Sequence, residues 1–345
     1  MLRAAPAAPV TPPRSLLLYA APWAAVALAV ATALCLPGRT VNNLATAALA
    51  ASVLLVGLPH GAADWWVMRQ VAGGQWQLST QASAAAVYVL ASLIALALWR
   101  WQPGASLAGF LALTAWHFGS AEASVLMPDR RTFRDAVWWM FAGGRGLMVV
   151  FTSLAFRPAE AVQVLWPFTS LGPEVSQTLE ALTCAALPLT WLGVVAQLAA
   201  IRLDAHAHPG PVGRRRLTGN ILETCLLLML FRLAPPLLAF VTYWTAFHAW
   251  RHILRLERLE LPDAGKLSWW QILADFHRRT LVLTLLSLPG FALIFLLWPK
   301  LFRSASNATV AYLILLSILT VPHALVIGWL DGQRSKESTH HDALI

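Results

Sequence analysis

The chain is a succession of long apolar runs separated by short polar breaks. The runs predict ten membrane-spanning helices, at about residues 15–36, 41–62, 80–99, 104–121, 136–156, 177–201, 218–233, 236–256, 279–299 and 308–330. Several breaks contain proline, which ends or begins a helix, as at Pro37 and at Pro235 with Pro236. Nearly uncharged runs of about 18 residues or more match a bilayer core about 30 Å thick. The pattern therefore predicts an all-α, polytopic membrane bundle of about ten helices.

The two ends of the chain lack such runs. Residues 1–14 are rich in Ala and Pro and are expected to form a disordered tail, and residues 331–345 a polar C-terminal tail. Residues 15–330 then form a single transmembrane domain. The first apolar run is longer than the core of a signal peptide, so we expect it to be retained as a span.

Composition and charge support a membrane protein. Of the 345 residues, 58% are hydrophobic and 12% are charged, and the mean hydropathy is +0.62. An ordinary soluble domain has about 25% charged residues, so that class is excluded. With a cytoplasmic N-terminus and ten crossings, 18 of the 25 Lys and Arg residues fall on the cytoplasmic side, six fall outside, and Arg145 lies within a span. The net charge of +9 thus reflects topology, with both termini cytoplasmic, and we expect no nucleic-acid partner.

Five of the ten histidines lie inside predicted spans, where ionisable side chains are costly and usually functional. They are His60 in GLPHGAAD, His117 in AWHFGSAE, His248 and His252 in FHAWRHI, and His323 in VPHALVIGW. The four predicted spans that carry them run in the same direction across the membrane, and each histidine lies past the midpoint of its span. His60 reaches the same depth as the others if its helix continues into the DWWVM segment. The histidines can therefore form one layer near the cytoplasmic face.

This residue set suits a metal ion. His248 and His252 are spaced i, i+4, so one helix can offer two imidazoles to one metal. Neutral imidazole binds iron, copper, zinc or nickel, and a ligand set without a thiolate or an obvious carboxylate argues against an iron–sulfur cluster or a calcium site. Asp64, one turn after His60, and Glu122, five residues after His117, could accept the second imidazole N–H and orient the rings. A haem would use only two of the histidines, and a single histidine often just bonds to a neighbouring helix.

Other polar and aromatic residues adjoin these histidines. Arg145, in FAGGRGLM, could pair with Glu223 or with a backbone carbonyl, or it could hold a polar substrate group, and its glycines permit close helix approach. Five aromatic residues could line an apolar tunnel for a long lipophilic substrate, although packing alone would also use them. They are Trp116, Tyr243, Trp244, Phe247 and Trp250.

Four separated motifs, taken together, resemble a known family. They are GLPHGAADWW, AWHFGSAE 57 residues later, the HxxxH pair within YWTAFHAWRHI, and VPHAL. Their order on a chain of apolar helices is similar to that of the Brp/Blh family of bacterial and archaeal β-carotene 15,15′-dioxygenases. The resemblance runs from about residue 40 to residue 330, which is most of the chain.

The resemblance implies a catalytic membrane domain in a bacterial cell membrane. Such an enzyme holds Fe(II), uses O₂ to split the central 15,15′ double bond of β-carotene, and releases two molecules of all-trans-retinal, the chromophore of microbial rhodopsins. Carried over by motif, His60, His117, His248 and His252 match the family's presumed iron ligands, and His323 is a fifth ligand or a partner of the ligands. The hydrocarbon substrate would enter laterally from the bilayer.

Two other functions stay open on the residues alone. A membrane desaturase or hydroxylase also uses clustered histidines, but those families carry several histidine boxes, and this chain has one HxxxH within a span. A cation-coupled transporter could relay ions along the histidines, and inverted repeats would favour it.

Overall fold

Helices make up nearly all of the fold. The computed structural model describes residues 16–72, 76–130, 134–260, 268–302 and 305–342. No β-strand occurs within these ranges, and the all-α prediction is confirmed. The tail predicted at residues 1–14 lies outside the described residues.

The helix boundaries follow the prolines of the sequence. In the first half the helices are α1 (Ala21–Cys35), α2 (Gly38–Ser52), α3 (Leu58–Ala62), α4 (Asp64–Ala72), α5 (Leu78–Trp101), α6 (Pro103–Leu126) and α7 (Ala136–Phe156). In the second half they are α8 (Pro158–Leu165), α9 (Glu174–Ala207), α10 (Pro211–Leu233), α11 (Pro236–Tyr243), α12 (Trp250–Glu260), α13 (Trp269–Ser287), α14 (Pro289–Leu297) and α15 (Ala305–Asp342). Leu16–Ala20, Val53–Gly57 and Trp244–Ala249 form π-helical turns, and Trp166–Leu171 and Pro299–Phe302 form 3₁₀ turns. Seven of these α-helices have proline at their first or second position, where its missing N–H costs nothing.

Seven helical stretches of the described chain are long and apolar enough to cross a membrane. They are Leu18–Cys35, Gly38–Ala72, Leu78–Trp101, Ala136–Phe156, Glu174–Ala207, Trp269–Leu297 and Thr309–Gln333. The protein is therefore a multi-pass membrane protein. The other three predicted spans correspond to α6, to α10, and to the stretch from α11 through the π turn to α12. Each carries buried ionisable residues that lower its hydropathy, such as His117, Glu223 and Arg251. The predicted total of ten crossings is not confirmed.

Some helix ends differ from the hydropathy-based boundaries. The helix predicted to end at residue 330 continues to Asp342, and the helix predicted to start at 279 starts at Trp269. The short helix Pro158–Leu165 has no counterpart among the predicted spans. Hydropathy locates where a helix enters the apolar layer, and a helix can continue beyond that layer with polar residues.

Glycines bring α6, α7 and α9 into backbone contact. A Cβ on Gly119 of α6 would overlap a backbone carbonyl oxygen of α7, and a Cβ on Gly146 of α7 would overlap one of α6. Gly144 of α7 and Gly193 of α9 meet in the same way, with an added Cβ at Gly144 lying 2.6 Å from a backbone nitrogen of α9. Small residues at such crossings are typical of membrane helices. The α6–α7 crossing fixes His117, which lies two residues before Gly119.

The π-helical turns Val53–Gly57 and Trp244–Ala249 meet beside the histidines. A Cβ on Gly57 would lie 2.6 Å from Cη2 of Trp244, so the indole can pack here only against a glycine. The first turn leads into the helix that carries His60, and the second contains His248. Such turns are rare and are often found at functional sites, because the extra residue re-aims the side chains that follow.

The helices differ in how deeply they are buried. Most of the apolar stretch of α15 is buried, whereas the apolar stretch of α5 is largely exposed. The two helices pack against each other. The central helix α15 thus carries His323 into the interior, and α5 forms part of the outer wall.

Candidate metal centre

The five histidines singled out in the sequence converge in the interior. Each is buried, with at most 5% of its surface exposed. The ring centroids of His60 and His252 are 4.5 Å apart, and those of His117 lie 4.7 Å from both His248 and His323. The rings come from four separate stretches of chain, so the bundle assembles the layer that their depth along the spans predicts.

Three of the histidines face one another most closely. Nitrogen atoms of His60, His117 and His323 all lie within 4.8 Å of one another. Nε2 of His60 is 3.2 Å from Nε2 of His323. Three buried imidazoles from three helices can hold a metal ion and leave coordination positions open.

The HxxxH pair borders this group. The rings of His248 and His252 are nearly parallel, at 15°, with centroids 6.5 Å apart. The ring of His248 also lies 5.3 Å from that of His60, and the ring of His252 lies 5.6 Å from that of His323. Both members of the pair therefore face the same centre, although the helix contains a π turn at His248.

Unpartnered ring nitrogens test whether a metal fits here. Nδ1 of His60, Nδ1 of His248 and both ring nitrogens of His252 are buried without a hydrogen-bond partner among the described residues. Leaving buried polar atoms unpaired is costly, and a metal ion would accept the lone pair of one nitrogen in each ring. The all-imidazole set suits iron, copper, zinc or nickel. Rings packed this closely leave no space for a porphyrin between them, which argues against haem.

Asp64 contacts a different histidine from the one that the sequence indicates. Its Oδ1 lies 2.6 Å from Nδ1 of His323, and its Oδ2 accepts a hydrogen bond of 3.0 Å from the hydroxyl of Tyr88. The prediction paired Asp64 with His60, one turn earlier. The helix is interrupted at Ala63 and α4 packs against α15, so the carboxylate reaches His323 instead.

Among the described residues, Glu122 accepts its hydrogen bond from an arginine and not from the imidazole that the sequence had suggested. Its Oε2 accepts a hydrogen bond from Nη1 of Arg251, which lies between His248 and His252 on the neighbouring helix. Arg251 is the stronger partner because a guanidinium is charged and a neutral imidazole is not. Glu122, Arg251 and the two histidines of the HxxxH pair line one small enclosed space.

Arg251 belongs to a buried network of four charged side chains. It donates to Glu223 from Nη1 at 3.0 Å and from Nη2 at 2.6 Å. Arg145 donates to the same carboxylate at 2.8 Å, so the structure selects the pair with Glu223 among the alternatives that the sequence left open. The four side chains are at most 1% exposed: Glu122, Arg145, Glu223 and Arg251. The two positive and two negative groups balance, so the network carries no net charge.

The network also fastens the first helix of the chain. Nε1 of Trp23 donates to Glu223 at 3.2 Å. Arg251 donates to the backbone carbonyl of Leu18 at 3.0 Å. Arg251 is one of the 18 basic residues assigned to the cytoplasmic side in the sequence, and the structure buries it within the protein.

An apolar cavity of about 120 Å³ lies next to the histidines. Its walls include Thr114 and Phe118 on α6 and Val149 on α7. The ring of Phe118 also lies 4.6 Å from that of His248, so this side chain separates the cavity from the metal-binding rings. The cavity is thus an apolar compartment that the Phe118 side chain separates from the candidate metal centre.

None of the five aromatic residues predicted to line a tunnel lines this cavity. Trp116 stacks on Trp139, with centroids 4.9 Å apart, and Tyr243 stacks on Phe247 at 5.7 Å. The remaining two aromatic residues, Trp244 and Trp250, also pack against core side chains. Aliphatic residues form most of the cavity wall, a role that single apolar positions in a sequence do not reveal.

Sequence reasoning missed three residues around the centre: Arg251, Tyr88 and Phe118. Arg251 could have been found by the rule that singled out Arg145, because it is a charged residue within a predicted span. Tyr88 and Phe118 carry no comparable signal, since aromatic residues are common in apolar helices.

Comparison with known proteins gives a consistent result. The profile of a family described as "Beta-carotene 15,15'-dioxygenase" matches residues 51–331. A "Probable beta-carotene 15,15'-dioxygenase Blh" of Halobacterium salinarum is 25% identical over 329 residues, covering 90% of both chains. A "Beta-carotene 15,15'-dioxygenase" of an uncultured marine bacterium, 66A03, is 23% identical over 282 residues, covering 81% of this chain and 92% of its own. No solved structure matches the chain.

Proposed function

The chain belongs to the beta-carotene 15,15'-dioxygenase family, and we propose that it cleaves the central 15,15′ double bond of β-carotene with O₂, as an iron(II)-dependent enzyme, to give two molecules of all-trans-retinal. The observation that carries this proposal is the convergence of five buried imidazoles, four of whose nitrogens have no hydrogen-bond partner among the described residues. The family match favours this reaction over a desaturase, a hydroxylase or a transporter.

His60, His117 and His323 would hold the iron most directly, with His248 and His252 beside them. Iron supplies the O₂ chemistry that amino-acid side chains do not provide. The protein binds the hydrocarbon, excludes water and orients the imidazoles, for which the buried Asp64–His323 contact is suited.

The substrate and the membrane suit each other. β-Carotene is a hydrocarbon that dissolves in the bilayer, and the apolar cavity beside Phe118 offers a compartment for part of it. We place the protein in a bacterial cell membrane with both termini in the cytoplasm, a topology supported by the excess of basic residues that the ten predicted spans assign to that side. The retinal released would pass to a microbial rhodopsin.

Purified protein in detergent tests the proposal. After metal removal it should form no retinal from β-carotene, and Fe(II) with O₂ should restore the reaction, whereas Zn(II) should not. With ¹⁸O₂, both retinal molecules should carry label if the enzyme is a dioxygenase. Protein that binds no iron and forms no retinal would contradict the proposal.

A cavity-filling variant tests the substrate compartment. We expect Val149→Phe to lower kcat/KM for β-carotene by about 10-fold or more, because the added ring occupies space that the substrate needs. Iron content should not change. The matched control is Val194→Phe, the same replacement at a buried valine that lines a separate groove of about 470 Å³. Equal kinetic effects in the two variants would show that the cavity beside Phe118 does not hold substrate.

A further inference from the structure

A chain of hydrogen bonds leads from the outer wall of the bundle to the histidine cluster. The hydroxyl of Tyr88 on α5 donates to Oδ2 of Asp64 at 3.0 Å, and Oδ1 of Asp64 lies 2.6 Å from Nδ1 of His323. Asp64 is 2% exposed and His323 is 4% exposed. Nε2 of the same imidazole faces His60 at 3.2 Å. The chain therefore ends at a nitrogen that belongs to the metal-binding group.

Tyr88 lies in an apolar environment, where its hydroxyl needs a hydrogen-bond partner. The residue lies in a groove of about 330 Å³ between α5 and α15, whose walls include Val87, Leu325 and Trp329. All three of these apolar side chains are largely exposed on the outer surface. A phenol hydroxyl in such an apolar setting needs a hydrogen-bond partner, and the partner here is Asp64.

The contacts also determine which atoms donate. A tyrosine hydroxyl donates to a carboxylate oxygen, so Asp64 is held as an acceptor with both oxygens engaged. Nδ1 of His323 is then the donor, and its Nε2 keeps a free lone pair directed at the cluster. A carboxylate behind a metal-binding histidine commonly fixes the tautomer and ring orientation in this way.

We propose that Tyr88 is a positioning residue that holds Asp64, and through it the orientation and tautomer of His323, at the metal centre. The inference rests on the proposed function, because it requires a metal at the histidines. Without the hydroxyl, the carboxylate loses one of its two partners and can rotate away from the imidazole.

Fe(II) binding by the full-length protein in detergent tests this role. We expect Tyr88→Phe to weaken Fe(II) affinity by about 10-fold, which is the lower end of the range for residues behind metal ligands. The matched control is Tyr312→Phe, because the hydroxyl of Tyr312 is buried without a hydrogen-bond partner among the described residues. That variant should bind Fe(II) like the wild type. The absorption bands of Co(II)-loaded protein should shift in Tyr88→Phe and not in Tyr312→Phe.

A double variant separates positioning from a packing role. If Tyr88 acts through Asp64, the Tyr88→Phe and Asp64→Asn double variant should bind Fe(II) no more weakly than Asp64→Asn alone. Multiplied losses, or a Tyr88→Phe variant with wild-type affinity, would overturn the inference and leave the proposed function intact. A wild-type protein that binds no Fe(II) would overturn both. The metal-free variants should stay folded at the temperature of the binding measurement.

Discussion

Replacing His117 with alanine is expected to abolish iron binding and retinal formation. His117 has ring contacts at 4.7 Å with both His248 and His323, and it is one of the three histidines whose nitrogens face one another most closely. Loss of a ligand should reduce the rate of retinal formation by more than about 100-fold. Replacing a residue that only orients a metal ligand already lowers metal affinity or activity ~10–100-fold. The measurements are iron content after anaerobic loading and retinal formed from β-carotene.

The control for this experiment is His206→Ala, which removes an exposed imidazole on α9 far along the chain from the cluster. It should leave both readings unchanged. His323→Ala should lower iron content and retinal formation as much as His117→Ala if His323 is a ligand. The loss should be smaller if His323 only orients the other four histidines. A His117→Ala variant that keeps its iron and its activity would show that His117 is not a required ligand of the metal.

Replacing Glu223 with glutamine is expected to be the most destabilising single change in the interior. The carboxylate accepts hydrogen bonds from Arg145, Arg251 and Trp23, and it is fully buried. Removing its charge leaves two buried guanidinium groups with one carboxylate, Glu122. Such an uncompensated charge costs about 3–5 kcal/mol of folding stability. The reading is the unfolding midpoint of purified protein in detergent.

Asp129→Asn is the matched control, because it removes one carboxylate charge from an ion pair with Arg216 in which Asp129 is 51% exposed. Exposed pairs contribute about 1 kcal/mol or less, so its midpoint should hardly move. If Glu223→Gln were as stable as this control, the four-residue network would not depend on charge balance, and its role in fastening α1 would rest on packing alone.

Local patterns in the sequence predicted much of the fold. Apolar runs and prolines located nearly every span, because hydropathy and the missing proline N–H act on single helices. The depth of the histidines along those helices predicted that five of them would meet, which the structure confirms. The Arg145–Glu223 pair was among the alternatives that the sequence offered, since a buried cation in an apolar span usually pairs with an anion or a carbonyl.

The sequence did not predict which side chains on different helices contact each other. Asp64 contacts His323, 259 residues away, and not His60, four residues away. Glu122 pairs with Arg251, 129 residues away, and not with His117, five residues away. Each outcome depends on how two helices rotate against each other, and a π turn or a glycine crossing changes that rotation without a signal in the hydropathy pattern.

The sequence by itself therefore determined the class of protein, the approximate spans and the identity of the five histidines, because each follows from the properties of one helix in a bilayer. Only the tertiary structure decided which acid orients which imidazole, which charges neutralise one another and where the apolar cavity lies. Those features arise at contacts between helices, where sub-ångström differences in packing select one hydrogen-bond partner over another.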